Sequence, residues 1–319
     1  MIRGAVVAAL LSSPAFGADV PCGAASAPEG AMEMREAVVK IDALGDAFPY
    51  LSILVPSAWS DSGAAEFDPA ESCGAHEKLR WRATAPDGAA SIEILPGAGW
   101  TASAQPAEFS ACESRNLQDA ASYAMSLLET AAPSAKVREV LDRPDLSAPI
   151  NAQFASYNGY AGQTKASAVE VRFEAPAQGA SVEHGAVVAV VMTFTPHISI
   201  PENETRATAF PVLLARARGA SLDPGLVEAV RASALASPRW LAVREQWFSP
   251  TGMLPDPRKP ISALLAAPDF AERETLPEAT ACGGRIKKLK AAVVWKGDDG
   301  RYWYVPARPA ALEHAPENR

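Results

Sequence analysis

The sequence predicts an α+β fold, and three observations carry that expectation. Residues 79–96 alternate apolar and polar side chains on both arms of a turn, the period of a strand with one buried face, and residues 168–194 read as a second hairpin whose first arm, 169–173, alternates while its second is nearly all apolar. Residues 116–131 and the stretch after Asp223 place apolar residues three and four apart, the period of a helix with one buried stripe. Two apolar and aromatic runs, 292–295 and 302–305, bracket Asp298-Asp299-Gly300 and predict a hairpin near the C-terminus.

Taken in order, residues 1–17 read as a cleavable secretory signal. Arg3 precedes an apolar run at 5–11, and Ala15 and Gly17 are the small residues of an A-x-A-type cleavage site, which makes Ala18 the first mature residue. The run is far shorter than the roughly 20 residues of a membrane span. Pro21 ahead of Cys22 is wrong for a lipid-modified cysteine. The expected location is therefore the periplasm or outside the cell.

Residues 18–35 read as loop, 38–44 and 50–56 as strands, and 60–77 as a polar loop holding Cys73. The hairpin 79–96 turns at Pro86-Asp87-Gly88. Asn116 is the expected cap of the helix 116–131, and 137–141 is a short strand. Residues 187–194 are nearly all apolar, which predicts a central strand covered on both faces. Residues 210–217 add a strand. Asp223 caps a helix with Pro224 at its first position, Leu226, Val227, Val230 and Ala234 form its stripe, and Pro238 and Trp240 close it. The expected division is a main domain, 18–247, and a C-terminal extension, 248–319, with a short helix at 261–266, the hairpin and a disordered end at 309–319.

Cys22, Cys73, Cys112 and Cys282 are an even set in a chain expected to be exported, which favours two disulfides. Of three pairings the preferred one is Cys73–Cys112, flanking one hairpin, with Cys22–Cys282 tying the chain ends to the body. None of the four sits in a C-x-x-C pair or at metal-ligand spacing from a histidine. The formal charge of −8 opposes nucleic acid and anionic lipid as partners, and no later segment has the length of a membrane span.

The order of elements over 36–245, the phrase 53–59 ending in Pro56-Ser57-Ala58-Trp59, the turn phrase 83–88 and the helix-end phrase 232–240 together resemble the Mog1/PsbP-like superfamily, which includes uncharacterised exported bacterial proteins. The resemblance implies an antiparallel sheet with helices on both faces, an α/β/α sandwich. It also implies a protein that binds or scaffolds partners, and it transfers no catalytic residue.

The sequence carries no G-x-S-x-G, S-x-x-K, H-E-x-x-H, P-loop or G-x-G-x-x-G motif, and no cofactor site is expected. His184 and His197 flank the strand 187–194, whose ends lie roughly 25 Å apart at about 3.3 Å per residue, too far to share a site. Glu170 and Glu174, with Glu183 nearby, read as a solvated strand face before they read as a proton-transfer pair. The basic cluster Arg285, Lys287, Lys288 and Lys290, with Trp295, Tyr302 and Trp303, is the expected partner-binding patch, because aromatic and cationic residues concentrate in binding hot spots. The expected role is a non-catalytic binding or scaffolding protein of the cell envelope. The alternatives are a hydrolase with an unrecognised site or a small-ligand carrier.

Overall fold

The structure is a computed structural model. It describes residues 30–43, 46–68, 71, 73–103, 112–156, 158–159, 162–177, 181–197, 204–219, 222–247, 269–271, 275–277, 286–289, 294–297 and 300–306. The expected signal at 1–17, Cys22, Cys282, the helix 261–266 and the tail 309–319 lie outside the described residues.

Strands make up 54% of the described residues, so the α+β expectation holds with the balance toward sheet. Strand β1 (Met32–Ala43) pairs antiparallel with β2 (Asp46–Pro56) and buries Ala37, Val39 and Ile41 against Ile53 and Val55. Strand β3 (Ser60–Phe67) occupies what the sequence presents as loop. Only Ala65 of its eight residues is buried, so it has no apolar period to read. Its order comes from a full antiparallel ladder with β4 (Glu77–Thr84) and a short parallel joint to β1. Gly63 has φ +142°, and a side chain there would run into the Arg80 carbonyl.

The expected hairpin forms between β4 and β5 (Ala90–Leu95), with Gly88 in the left-handed region at the turn. Strand β6 (Ala98–Ala102) follows, and β7 (Ser114–Arg115) joins it in parallel. Helix α1 (Ala120–Ala131) starts later than the apolar stripe suggests. Its cap is Asp119, not Asn116. The Asp119 carboxylate accepts the Ser122 amide and the Ser122 hydroxyl accepts the Asp119 amide, a reciprocal box that Asn116 is too far upstream to make.

Strand β8 (Lys136–Asp142) is at its expected place, and α2 (Pro144–Phe154) was not anticipated. Two prolines hide it from sequence reading. Pro144 is tolerated in the first turn and Pro149 sits inside, while Leu146, Ile150 and Phe154 are buried at i, i+4 and i+8. The second hairpin is β9 (Gly162–Pro176) with β10 (Val182–Pro196). Strands β11 (Arg206–Ala209) and β12 (Val212–Arg218) then pair with successive halves of β10. Helix α3 (Pro224–Ala232) is capped by Asp223, which accepts the Gly225 and Leu226 amides, with Pro224 in the first turn.

A two-residue strand, β13 (Leu235–Ala236), precedes α4 (Pro238–Trp247). Pro238 therefore opens a helix instead of closing one. The Ser237 hydroxyl accepts the Trp240 amide, and proline costs nothing at a position whose amide has no helical partner. Strands β14 (Thr275–Pro277), β15 (Ile286–Leu289), β16 (Val294–Gly297) and β17 (Tyr302–Tyr304) form an antiparallel series.

The ladder runs β2–β1–β3–β4–β5–β12–β10–β9–β8, with β6 and β11 continuing the β5–β12 pair. The sheet is open and mixed, since β1–β3 and β6–β7 are parallel. Its two faces serve two cores. Val187, Ala189 and Val191 of β10 join Tyr123, Ala124 and Leu128 of α1. Val188 and Val190 join a cluster holding Ile150 of α2, Val230 of α3 and Trp240 of α4. Strand β10 is thus apolar on both sides because both sides are covered.

The Cys73–Cys112 disulfide forms as expected and closes a 39-residue separation. It holds the segment before β4 against β6, where the Cys73 carbonyl lies over Gly99 so closely that a Cβ would overlap it. At the other end of the sheet, β17 pairs with β1, Met32 opposite Tyr304. The buried Tyr304 hydroxyl donates to Asp223, 3.0 Å from Oδ2, and rests on Gly225.

Burial first, and then the Asp223 charge, push the Tyr304 phenol well above its ordinary pKa. Tyr304→Phe is expected to lower unfolding free energy by about 2 kcal/mol at neutral pH, the loss of one charge-assisted hydrogen bond. A phenol raised in the folded state contributes stability that is complete below its unfolded value of about 10 and is lost as pH rises through the folded value. The variant should lack that share of the alkaline decline, which denaturant unfolding at neutral and strongly alkaline pH checks.

Candidate functional site

The expected aromatic and basic patch divides in the structure. Trp295 is 1% exposed, so it is core and not a contact residue, a correction to the sequence reading. It faces Trp303 across the β16–β17 pair. Trp303 is half-buried with the Arg301 guanidinium 5.2 Å from its ring centre, and Tyr302 packs on the core with the Lys296 ammonium 5.6 Å from its ring. The backbone of β15 sets Lys287 opposite Lys296 and Lys288 opposite Trp295. Arg285 and Lys290 lie outside the described residues.

The charged residues weighed as proton-transfer groups are engaged in ion pairs. Glu170 accepts from Arg143 at 3.1 Å and from Arg172 at 2.8 Å. Glu174 pairs with Arg138, whose hydrogen bond holds the carboxyl below its ordinary pKa, and stands 3.6 Å from His184. Glu183 pairs with Arg216 at 3.5 Å. His184 is near the start of β10 and His197 follows its end, as the spacing predicts. His76, by contrast, stacks on Phe67 and meets the Asp68 carbonyl at 3.1 Å.

Arg143 is the hub of a structural network. Its guanidinium reaches Asp145 at 2.8 Å, Glu170 at 3.1 Å and Glu228 at 3.2 Å, which ties the start of α2 to β9 and α3. Those carboxylates, the hydrogen bond donated to Asp145 foremost, raise its pKa above the ordinary arginine value, so it stays charged.

A different set of residues builds the concave site. Helix α1 ends at Ala131, whose carbonyl meets half-buried Arg216 of β12, and Arg218 is the one exposed residue of that strand. There the alternation that buries Val212 and Leu214 continues as Arg216 and Arg218. The result is an open groove of about 440 Å³ whose charged and hydroxyl residues include Arg82, Glu93, Ser134, Glu183, Arg216 and Arg218.

Each charge is held in place. Arg216 donates to the Ala131 carbonyl at 3.0 Å, which satisfies an end carbonyl of α1, and pairs with Glu183; its Nε is buried without a partner among the described residues. Arg218 donates to the Gly88 carbonyl at 2.6 Å and makes no ion pair among the described residues. Arg82 lies 3.7 Å from Glu93. Guanidinium groups do not give up protons near neutrality, so this arrangement presents fixed positive charge and planar donor forks.

The sequence reading missed this groove. Its one local signal is arginine at two-residue spacing, Arg80-x-Arg82 and Arg216-x-Arg218, at the polar ends of strands. Nothing local says that β4 and β12, far apart in the chain, share β5 as a neighbour. Compared with protein-family models, curated proteins and solved structures, the chain matches none.

Proposed function

We propose that this chain is exported to the cell envelope, periplasmic or secreted, and acts there as a non-catalytic binding protein. The groove beside the end of α1 is its contact site. The observation that carries the reading is that groove: an open concavity whose guanidiniums are fixed by neighbours and suited to holding charge, not to moving protons. Export is supported by the 1–17 pattern and by the Cys73–Cys112 disulfide, since such bonds persist in oxidising compartments. The α/β/α sandwich reading, and with it the Mog1/PsbP-like resemblance and its binding role, is supported by α1 packing on one core and α2, α3 and α4 on the other.

A photo-crosslinking residue at exposed Ser134, irradiated in the envelope of the native host, is expected to give one discrete adduct. The same residue at Val140, 50% exposed on β8, should give none. An adduct at Trp303 and not at Ser134 would move the site to the C-terminal hairpin. No adduct at either position overturns the binding reading.

A further inference from the structure

Resting on that reading, we propose that the groove recognises an acidic peptide segment in extended form, with Arg218 and Arg82 as its contact cations. Charge is the first argument. The chain carries −8 overall, yet the groove gathers three guanidiniums against two carboxylates. Glu183 and Glu93 answer Arg216 and Arg82. Arg218 is answered by a carbonyl alone among the described residues, although Glu183 stands opposite it in the ladder, because the Glu183 carboxylate turns to Arg216. A local positive site on an acidic molecule selects ligands by sign and orientation.

Spacing is the second. Arg216 and Arg218 are two residues apart on one strand face, about 6.8 Å, which is the repeat of same-side carboxylates along an extended peptide. Arg82 lies two strands over, about 10 Å sideways, and level with Leu214, two residues along the strand from Arg216 and four from Arg218, so it meets a carboxylate further along an extended peptide that crosses the groove obliquely. Shape is the third. Alanines line much of the groove, Ala90, Ala131 and Ala175 among them, and leave width for a backbone. The open side suits part of a longer chain, whereas a small molecule is usually buried over most of its surface. Guanidinium forks then meet carboxylates two bonds at a time.

The test is fluorescence anisotropy on the full mature chain, using a labelled octapeptide of alternating Glu and Ala, its Gln-Ala counterpart, and succinate as competitor. The Glu peptide is expected to bind with a Kd that rises with salt, and the Gln peptide about tenfold more weakly or worse. Arg82→Ala with Arg218→Ala should weaken the Glu peptide by about tenfold, because each exposed pair contributes a fraction of that. Both side chains are exposed, so the double variant should keep the unfolding midpoint of the parent, which a urea titration verifies. Equal binding of Glu and Gln peptides, or full binding by the double variant, overturns the proposal. Succinate binding more tightly than the peptide overturns it in favour of a free dicarboxylate. Failure of the peptide with Ser134 adducts intact would remove the acidic ligand and leave the binding role standing. Failure of both would remove both.

Discussion

Replacing Trp240 by alanine is expected to lower unfolding free energy by about 3–5 kcal/mol, the usual cost of removing a large buried aromatic. Trp240 is 1% exposed and sits where α4 meets the first strands of the sheet. Phe67 lies 5.7 Å away, and Phe48 and Tyr50 each 6.3 Å, in tilted or edge-on contact. Its indole also donates to Glu77 at 2.9 Å, a carboxylate that Tyr50 and Arg244 share. Alanine would leave a cavity and take one donor from that carboxylate. A domain of this kind holds about 5–15 kcal/mol in all, so the loss should show as a large fall in urea midpoint at unchanged slope. Trp240→Phe should cost less, since it keeps the ring contacts and gives up only the hydrogen bond and some volume. A change below about 1 kcal/mol for the alanine variant would contradict the packing described.

Removing the Cys73–Cys112 bond by double alanine substitution is expected to cost about 4 kcal/mol, the loop-entropy value for a closed loop of roughly 40 residues. Thermal unfolding of the double variant, or of the reduced parent, measures it; an unchanged midpoint would show that the loop is held without the bond. The bond also has a local partner that responds to acid. Glu71 accepts from Lys78 at 2.9 Å and from the Cys73 amide at 3.0 Å, and these donors, Lys78 first, hold its carboxyl below the ordinary value. The sign follows from linkage. A lowered carboxyl contributes stability that is present above its unfolded value of about 4.3 and is lost as pH falls through the folded value. Reduction of the disulfide should therefore speed up in that acid window relative to a Glu71→Gln variant, at matched thiolate concentration.

The sequence was most legible where one residue type had one job. Alternation located β4, β5 and β9, a continuous apolar run located β10, and Asp223 with Pro224 located the start of α3. It was silent where order comes from neighbours distant in the chain. Strand β3 is Ser-, Asp- and Gly-rich and exists because β4 and β1 supply its ladder. Helix α2 survives Pro149 because Leu146, Ile150 and Phe154 are buried. Pro238 carries the same local information whether it ends one helix or begins the next, and the Ser237 cap decides. The aromatic patch misled for a related reason: aromatic runs in a short hairpin do not say which face the rest of the molecule covers, and Trp295 is on a covered one. The groove needs β4, β5, β12 and the end of α1 assembled before Arg82, Arg216 and Arg218 become neighbours.

The pairing of β1 with β17 sets the order in which the molecule can be finished. A chain made from its N-terminus presents β1 before β17, so residues 32–34 have an open backbone edge until β17 is made. Strand β17 closes that edge, and its Tyr304 simultaneously docks on the cap of α3. Contacts between such distant segments are slow to form, and open edges recruit other chains. A nascent or clipped molecule lacking 302–304 therefore keeps most of its ladder yet remains adhesive. Proteolytic surveillance of the chain would then act on whether β17 has arrived.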